Sequence, residues 1–242
     1  MTRPHDPAAT CKLIVDSFET WFRDEFIPHQ QDALDKWTKA NKHNINPYLI
    51  AYRSIAMSGN LSAEVIAESL ITLSWLGQGL STSFGTQFQS QLTKILKDVY
   101  GSTTSGIDVE YLDHFDKRKK FAQIKLGPDT INSDDVETIE NKFRAIKNLA
   151  RTNSFSLQQD DLVVGVIYGS HAQLNASYRS LKDKHFEVYV GNEFFEHITG
   201  IKDLGSQLIA AAVRASKTVK VNKLYRDAID TLAADPIIQG LV

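Results

Sequence analysis

The chain has 242 residues, 42% hydrophobic and 23% charged, enough for one large domain or two small ones. That composition excludes wholesale disorder, a collagen-like fibre and a disulfide scaffold, and Cys11, the single cysteine, excludes an intrachain disulfide or a cysteine-based zinc site. With 27 Lys+Arg against 29 Asp+Glu the net charge is -2, which rules out a tail-driven basic DNA binder but leaves room for a local basic cleft.

Residues 7 to about 99 read as helical. Leu13, Phe18, Trp21, Phe22 and Phe26 recur at helical spacing, and Pro28 is expected to break the run. A second short helix carries Leu34 and Trp37. Asn46-Pro47 opens a third, and Ser62 caps a fourth through Val65, Ile66, Leu70 and Leu73, with Gly77 and Gly79 expected to end it. Phe84, Phe88, Leu92, Ile95, Leu96 and Val99 mark a further amphipathic helix. GSTTSG (101–106) is turn chemistry.

After it the period changes to two. IDVEYLDHF (107–115) and KFAQIKL (120–126) alternate as strands do, and a charged turn about Asp116–Lys117 predicts an antiparallel hairpin. Asp134 with Glu137 reads as a capping box opening a helix through Val136, Ile139, Phe143, Ile146 and Leu149. LVVGVIYG (162–169) and FEVYVG (186–191) read as strands, NEFFEHI (192–198) as a helix start, and LGSQLIAAAV and YRDAIDTLA as helices. The expected fold is α/β, a mixed central sheet flanked by helices with a helical N-terminal part. It divides into a helical part at 1–100, a core at 101–200 and C-terminal helices at 201–242, all one domain. Residues 1–10 lack the apolar core of a signal peptide and LIAAAV (208–213) is far short of a membrane span, so a soluble cytoplasmic protein is expected.

The hairpin carries the chemistry. Asp108 and Glu110 share one face of the first strand, Gln123 and Lys125 one face of the second. A fold about Asp116–Lys117 sets Asp108 across from Lys125 and Glu110 across from Gln123. Neighbouring carboxylates repel, and a hard divalent cation relieves that repulsion. Asp108, the side-chain oxygen of Gln123 and the backbone carbonyl of Ile124 can ligate Mg²⁺, with Lys125 placed to orient or deprotonate a water. The same alternation fits a solvated strand face, with Glu110 a cross-strand ion-pair partner.

GSTTSGIDVEYLD, FAQIKLGPDTINSDDVETI and KNLARTN, with DLVVGVIYG and VYVGNEFFEHITG later, resemble the PD-(D/E)xK type II restriction endonucleases. The likeness covers roughly residues 45–200 and is closest to the group that cuts G/C-rich interrupted palindromes. It implies a restriction-endonuclease-like fold, Asp108 as metal ligand, Lys125 as catalytic lysine, and Mg²⁺-dependent cleavage of double-stranded DNA by a homodimer, leaving 5′-phosphate ends. The N-terminal helices would serve dimerisation and DNA clamping. Gln123 stands where most of that superfamily has Asp or Glu, so a carboxylate from Glu64 or Glu110 is expected to compensate. Glu64 reads equally as a surface helix residue.

Thr130, Asn132 and Ser133 after the second strand could donate to phosphate, or serve as turn and cap residues. The next helix bears Lys142, Arg144, Lys147 and Arg151. Arg151 and Asn153 could reach base edges, and Lys117–Lys120 could touch backbone. There is no Walker-type or dinucleotide motif, hence no expected nucleotide cofactor, and no membrane partner. Two other readings remain: a repair or junction nuclease of the same superfamily, and a catalytically degenerate DNA-binding protein.

Overall fold

The computed structural model describes residues 6–100 and 104–242, the side chains of 97–100 excepted. Part of the expected turn, 101–103, and the Val99 side chain therefore lie outside the described residues. The helices are α1 (Pro7–Trp21), α2 (Ile27–Lys36), α3 (Pro47–Ser58), α4 (Ala63–Ile71), α5 (Leu80–Tyr100), α6 (Ser133–Thr152), α7 (Ala176–Asp183), α8 (Asn192–Thr199), α9 (Leu204–Lys217) and α10 (Val221–Ala233), then a short Pro236–Gln239 turn of helix. The strands are β1 (Val109–Leu112), β2 (Lys119–Lys125), β3 (Leu162–Val166) and β4 (Glu187–Val190). No helix among the described residues is long and apolar enough to cross a membrane.

Two compact units result, one from the described part of Met1–Glu19 with Phe88–Ala212, the other from Thr20–Gln87 with Val213–Val242. The second is helical. Its core joins Leu34, Ile50, Ile66, Leu70, Ile71 and Trp75 to Ile229 and Leu232 of α10. Asn46 and Ser62 cap α3 and α4, as their residue types predict.

Two expected helix breaks do not occur. Phe22–Phe26 is a π-helical turn in which the Ile27 N–H reaches back to the Phe22 carbonyl, and Pro28 then lies in the first turn of α2. The proline sits where the hydrogen-bond pattern is already changing, so its missing N–H breaks nothing. Thr72–Gly79 is likewise π-helical and runs into α5, so Gly77 and Gly79 end no helix.

The first unit holds the mixed sheet, in order β1-β2-β3-β4, with β1 antiparallel to β2 and the remaining pairs parallel. The crossovers through α6 and α7 pack on one face. There Phe121, Leu162, Val164, Val166 and Val190 meet Ile139, Phe143, Tyr178 and Leu181. Parallel strands joined by helices bury such continuous apolar runs, which is why LVVGV reads as a central strand. On the opposite face the fully buried Phe194 of α8 presses on Gly165, where an added Cβ would come within 2.1 Å of its ring. Gly165→Ala is expected to cost about 1–3 kcal/mol through overpacking and to lower the midpoint of a thermal melt.

The hairpin register differs from the expected one by two residues. Val109 pairs with Ala122 and Glu110 with Phe121, so Glu110 is not opposite Gln123 and Asp108 is not opposite Lys125. The turn runs Asp113–Arg118, closed by Asp113 N–H to the Arg118 carbonyl at 2.9 Å, one residue earlier at its centre than Asp116–Lys117. Asp113 sets it: Oδ1 accepts from the Phe115 N–H at 2.8 Å, Oδ2 meets His197 Nδ1 at 2.6 Å, and Lys117 takes a positive φ of 57°. A shift of two preserves which side chains share a face.

Candidate active site

Asp108 lies just before β1, where the ladder is disturbed. Its N–H bonds the Ala122 carbonyl at 3.1 Å, one residue out of step with the Val109–Ala122 pairing. Its Oδ2 accepts the Ile124 N–H at 2.8 Å, in the place a strand carbonyl would take. Oδ1 has no hydrogen-bond partner among the described residues, and the side chain is half-buried. The N–H and C=O of one strand residue point to the same edge. The Ile124 carbonyl therefore shares the β2 edge with the Asp108 carboxylate. Two hard oxygen donors on one edge suit Mg²⁺, which takes few protein ligands. Among the described residues no cluster of three or more His, Cys, Asp or Glu could hold a metal ion.

Gln123 and Lys125 project from the β2 face that α6 covers, and each is tied to that helix. Lys125 Nζ donates to Asp135 Oδ1 at 3.1 Å, with the two side chains 22% and 33% exposed, so the pair remains open to solvent. Lys142 Nζ donates to Gln123 Oε1 at 2.7 Å, while Gln123 Nε2 donates to the Gly106 carbonyl at 2.8 Å. The side-chain oxygen expected to meet a metal thus carries an ammonium. Burial pushes the Asp135 carboxyl up, but the Asn132 N–H and Lys125 outweigh it and hold it below the usual range.

Asp135 and Lys142 are not among the catalytic residues the sequence pointed to. No local signal marks them: both belong to the polar face of a helix, and they meet Gln123 and Lys125 only because α6 packs on β2. The expected Asp134–Glu137 capping box is replaced by one between Asn132 and Asp135, because Asn132 precedes the helix with extended backbone.

Glu110 is buried, and both its oxygens are used, by Lys119 Nζ and by the Thr104 N–H. Burial raises its carboxyl, but these donors outweigh the effect and leave it low. Glu64 stands in the first turn of α4, in the helical unit.

Of the residues expected at DNA, Thr130 closes the turn through the Gly127 carbonyl at 2.8 Å, and Asn132 caps α6. Both thus have local roles. Ser133, Arg151 and Asn153 are exposed, and Lys147 lies over the Phe186 ring at 5.3 Å. The turn itself is fixed from α7: Tyr178 Oη donates to the Gly127 carbonyl at 2.9 Å and Asn175 Nδ2 to that of Ile131 at 2.8 Å. Lys117–Lys120 is no free basic tip. Lys117 bonds the His114 carbonyl, Arg118 bonds Asp161, Lys119 bonds Glu110, and Lys120 bonds Asp116 and Asp161.

The family model described as Type II restriction endonuclease EcoO109I matches residues 17–220. No curated protein matches the chain.

Proposed function

The chain belongs to the type II restriction endonuclease EcoO109I family, and from that premise we propose that it cuts double-stranded DNA at a specific, G/C-rich interrupted palindrome. The reaction is Mg²⁺-dependent hydrolysis of the phosphodiester bond, leaving a 5′-phosphate and a 3′-hydroxyl, in the cytoplasm. The observation that carries this is the β2 edge: the Asp108 carboxylate on the Ile124 N–H, the Ile124 carbonyl beside it, and Lys125 next in the strand.

Asp108 Oδ1 and the Ile124 carbonyl are the oxygens that would hold Mg²⁺, which supplies Lewis acidity at phosphorus and a more acidic water. Lys125 orients the attacking water and steadies the negative charge that develops on the phosphate oxygens, and Asp135 keeps that ammonium extended toward α6 until DNA arrives. Ser133, Lys147, Arg151 and Asn153, along α6 and at its end, are the proposed contacts to phosphates and base edges, with Thr130 and Asn132 shaping the turn that leads to them. A palindrome presents each strand to an identical active site, so the working form is a symmetric homodimer.

The test is digestion of phage DNA with Mg²⁺ followed by sequencing of the ends. Discrete fragments with one shared end sequence and 5′-phosphates are expected. Cutting that follows DNA structure rather than sequence would favour a repair or junction nuclease. Binding without cleavage at any protein concentration would favour a degenerate DNA-binding protein.

A further inference from the structure

Two ammonium groups reach β2 from one face, and their surroundings differ. Lys125 has a carboxylate partner in Asp135. Lys142 meets the neutral amide oxygen of Gln123, and no acid among the described residues pairs with it. Gln123 is 2% exposed and pinned at its other end to the Gly106 carbonyl, so it fixes where the Lys142 ammonium stands. A half-buried cation without a counter-charge among the described residues, one β2 side-chain position from Lys125, is an anion site in waiting.

We propose that Lys142 binds a DNA phosphate at the β2 edge, with Gln123 acting as the positioning residue that aims its ammonium. This deepens the nuclease reading and rests on it. Gln123 then has no part in holding metal, because an ammonium on its oxygen repels a second cation. The consequence is a centre in which one carboxylate, Asp108, faces the metal and a fixed lysine supplies the other positive charge at the phosphate. A strut that merely joins α6 to β2 would meet the same oxygen, but its removal would not change how DNA binding responds to salt.

That difference supplies the test. Binding of a fluorescent mixed-sequence DNA duplex is followed in EDTA across a salt series for the wild type, Lys142→Met and Lys142→Arg. For each phosphate that the protein no longer neutralises, the slope of log K against log salt becomes shallower by about 0.9. Lys142→Met is expected to show that change once per copy of the active site, and Lys142→Arg is expected to keep the wild-type slope. Cleavage in Mg²⁺ is expected to fall about tenfold or more for Lys142→Met. If Lys142→Met fails to fold, Lys142→Gln, which keeps an amide donor for Gln123, is read in the same assay.

A wild-type slope in the folded, uncharged variant overturns the proposal, whatever its cleavage rate. A wild type that binds DNA but never cuts it, alongside a reduced slope in the variant, sinks the nuclease reading and leaves the phosphate site standing.

Discussion

Asp108→Asn is expected to remove DNA cleavage while leaving the fold in place. The side chain has two separable tasks. Oδ2 accepts the N–H of Ile124, a fully buried residue, and an unpaired buried donor costs about 1–3 kcal/mol. The amide oxygen of Asn keeps that bond. What Asn lacks is the negative charge that makes Oδ1 a ligand for a hard cation. Loss of roughly 4 kcal/mol of metal-dependent transition-state stabilisation corresponds to about a 10³-fold slower reaction. Asp108→Ala removes both tasks, so it is expected to lose activity equally and also to melt lower. Lys125→Ala is expected to lose a comparable factor without loss of fold, since its partner Asp135 is a third exposed and remains hydrated. The measurements are the rate of fragment appearance from phage DNA in Mg²⁺, a thermal melt, and duplex binding in EDTA. Binding should survive in all three variants. A fully active Lys125→Ala protein would discard the mechanism.

Much of this site is written locally in the chain. Period-two alternation over 107–126 predicts both hairpin strands, and the positions of Asp108 and Lys125 follow from it. The register does not follow, because it depends on Asp113, whose carboxylate is shared between the turn and His197, 84 residues further on. The same limit hides the partners of Gln123 and Lys125. Neither Lys142 nor Asp135 differs in pattern from an ordinary polar helix face until the crossover lays α6 on β2. The basic run Lys117–Lys120 is misleading for a related reason. Its charges look free in sequence, and Asp161, which takes up two of them, is about forty residues away. Conversely Thr130 and Asn132 take the turn and cap roles that their residue types favour. The expected breaks fail for two reasons: Pro28 follows a π-helical turn in which the regular hydrogen bonds are already interrupted, and Gly77 and Gly79 do not take the left-handed backbone by which glycine ends a helix.

Asp161→Asn is expected to destabilise the unit that holds the sheet by about 3 kcal/mol. Asp161 is 1% exposed and sits at the entry to β3. It accepts from Arg118 Nε at 2.8 Å, from the Gln158 N–H at 2.7 Å, and from Lys120 Nζ at 3.3 Å. The Lys120 side chain is 2% exposed and is also paired with Asp116 at 2.6 Å. Two acids and two bases balance; without the Asp161 charge, one buried positive charge is left over. Breaking a buried pair in this way typically costs about 3–5 kcal/mol. The lower end applies here, because Lys120 keeps Asp116 and Arg118, 31% exposed, can turn to water. At this chain length about 3 kcal/mol lowers the melting midpoint by roughly 6–12 °C. The acid dependence has a definite sign. Burial pushes the Asp161 carboxyl up, but Arg118, the Gln158 N–H and Lys120 outweigh it and hold it below the ordinary range. A lowered folded value means that the stabilisation is complete above the unfolded carboxyl value, about 3.9. It is lost as pH falls through the still lower folded value. The gap between wild-type and Asp161→Asn melting midpoints should therefore be wide at neutral pH and close in strong acid. Since Arg118 and Lys120 flank the turn that fixes the β1–β2 register, hydrogen exchange at the Ile124 amide should rise in the variant, linking this cluster to the Asp108 carboxylate that the amide serves.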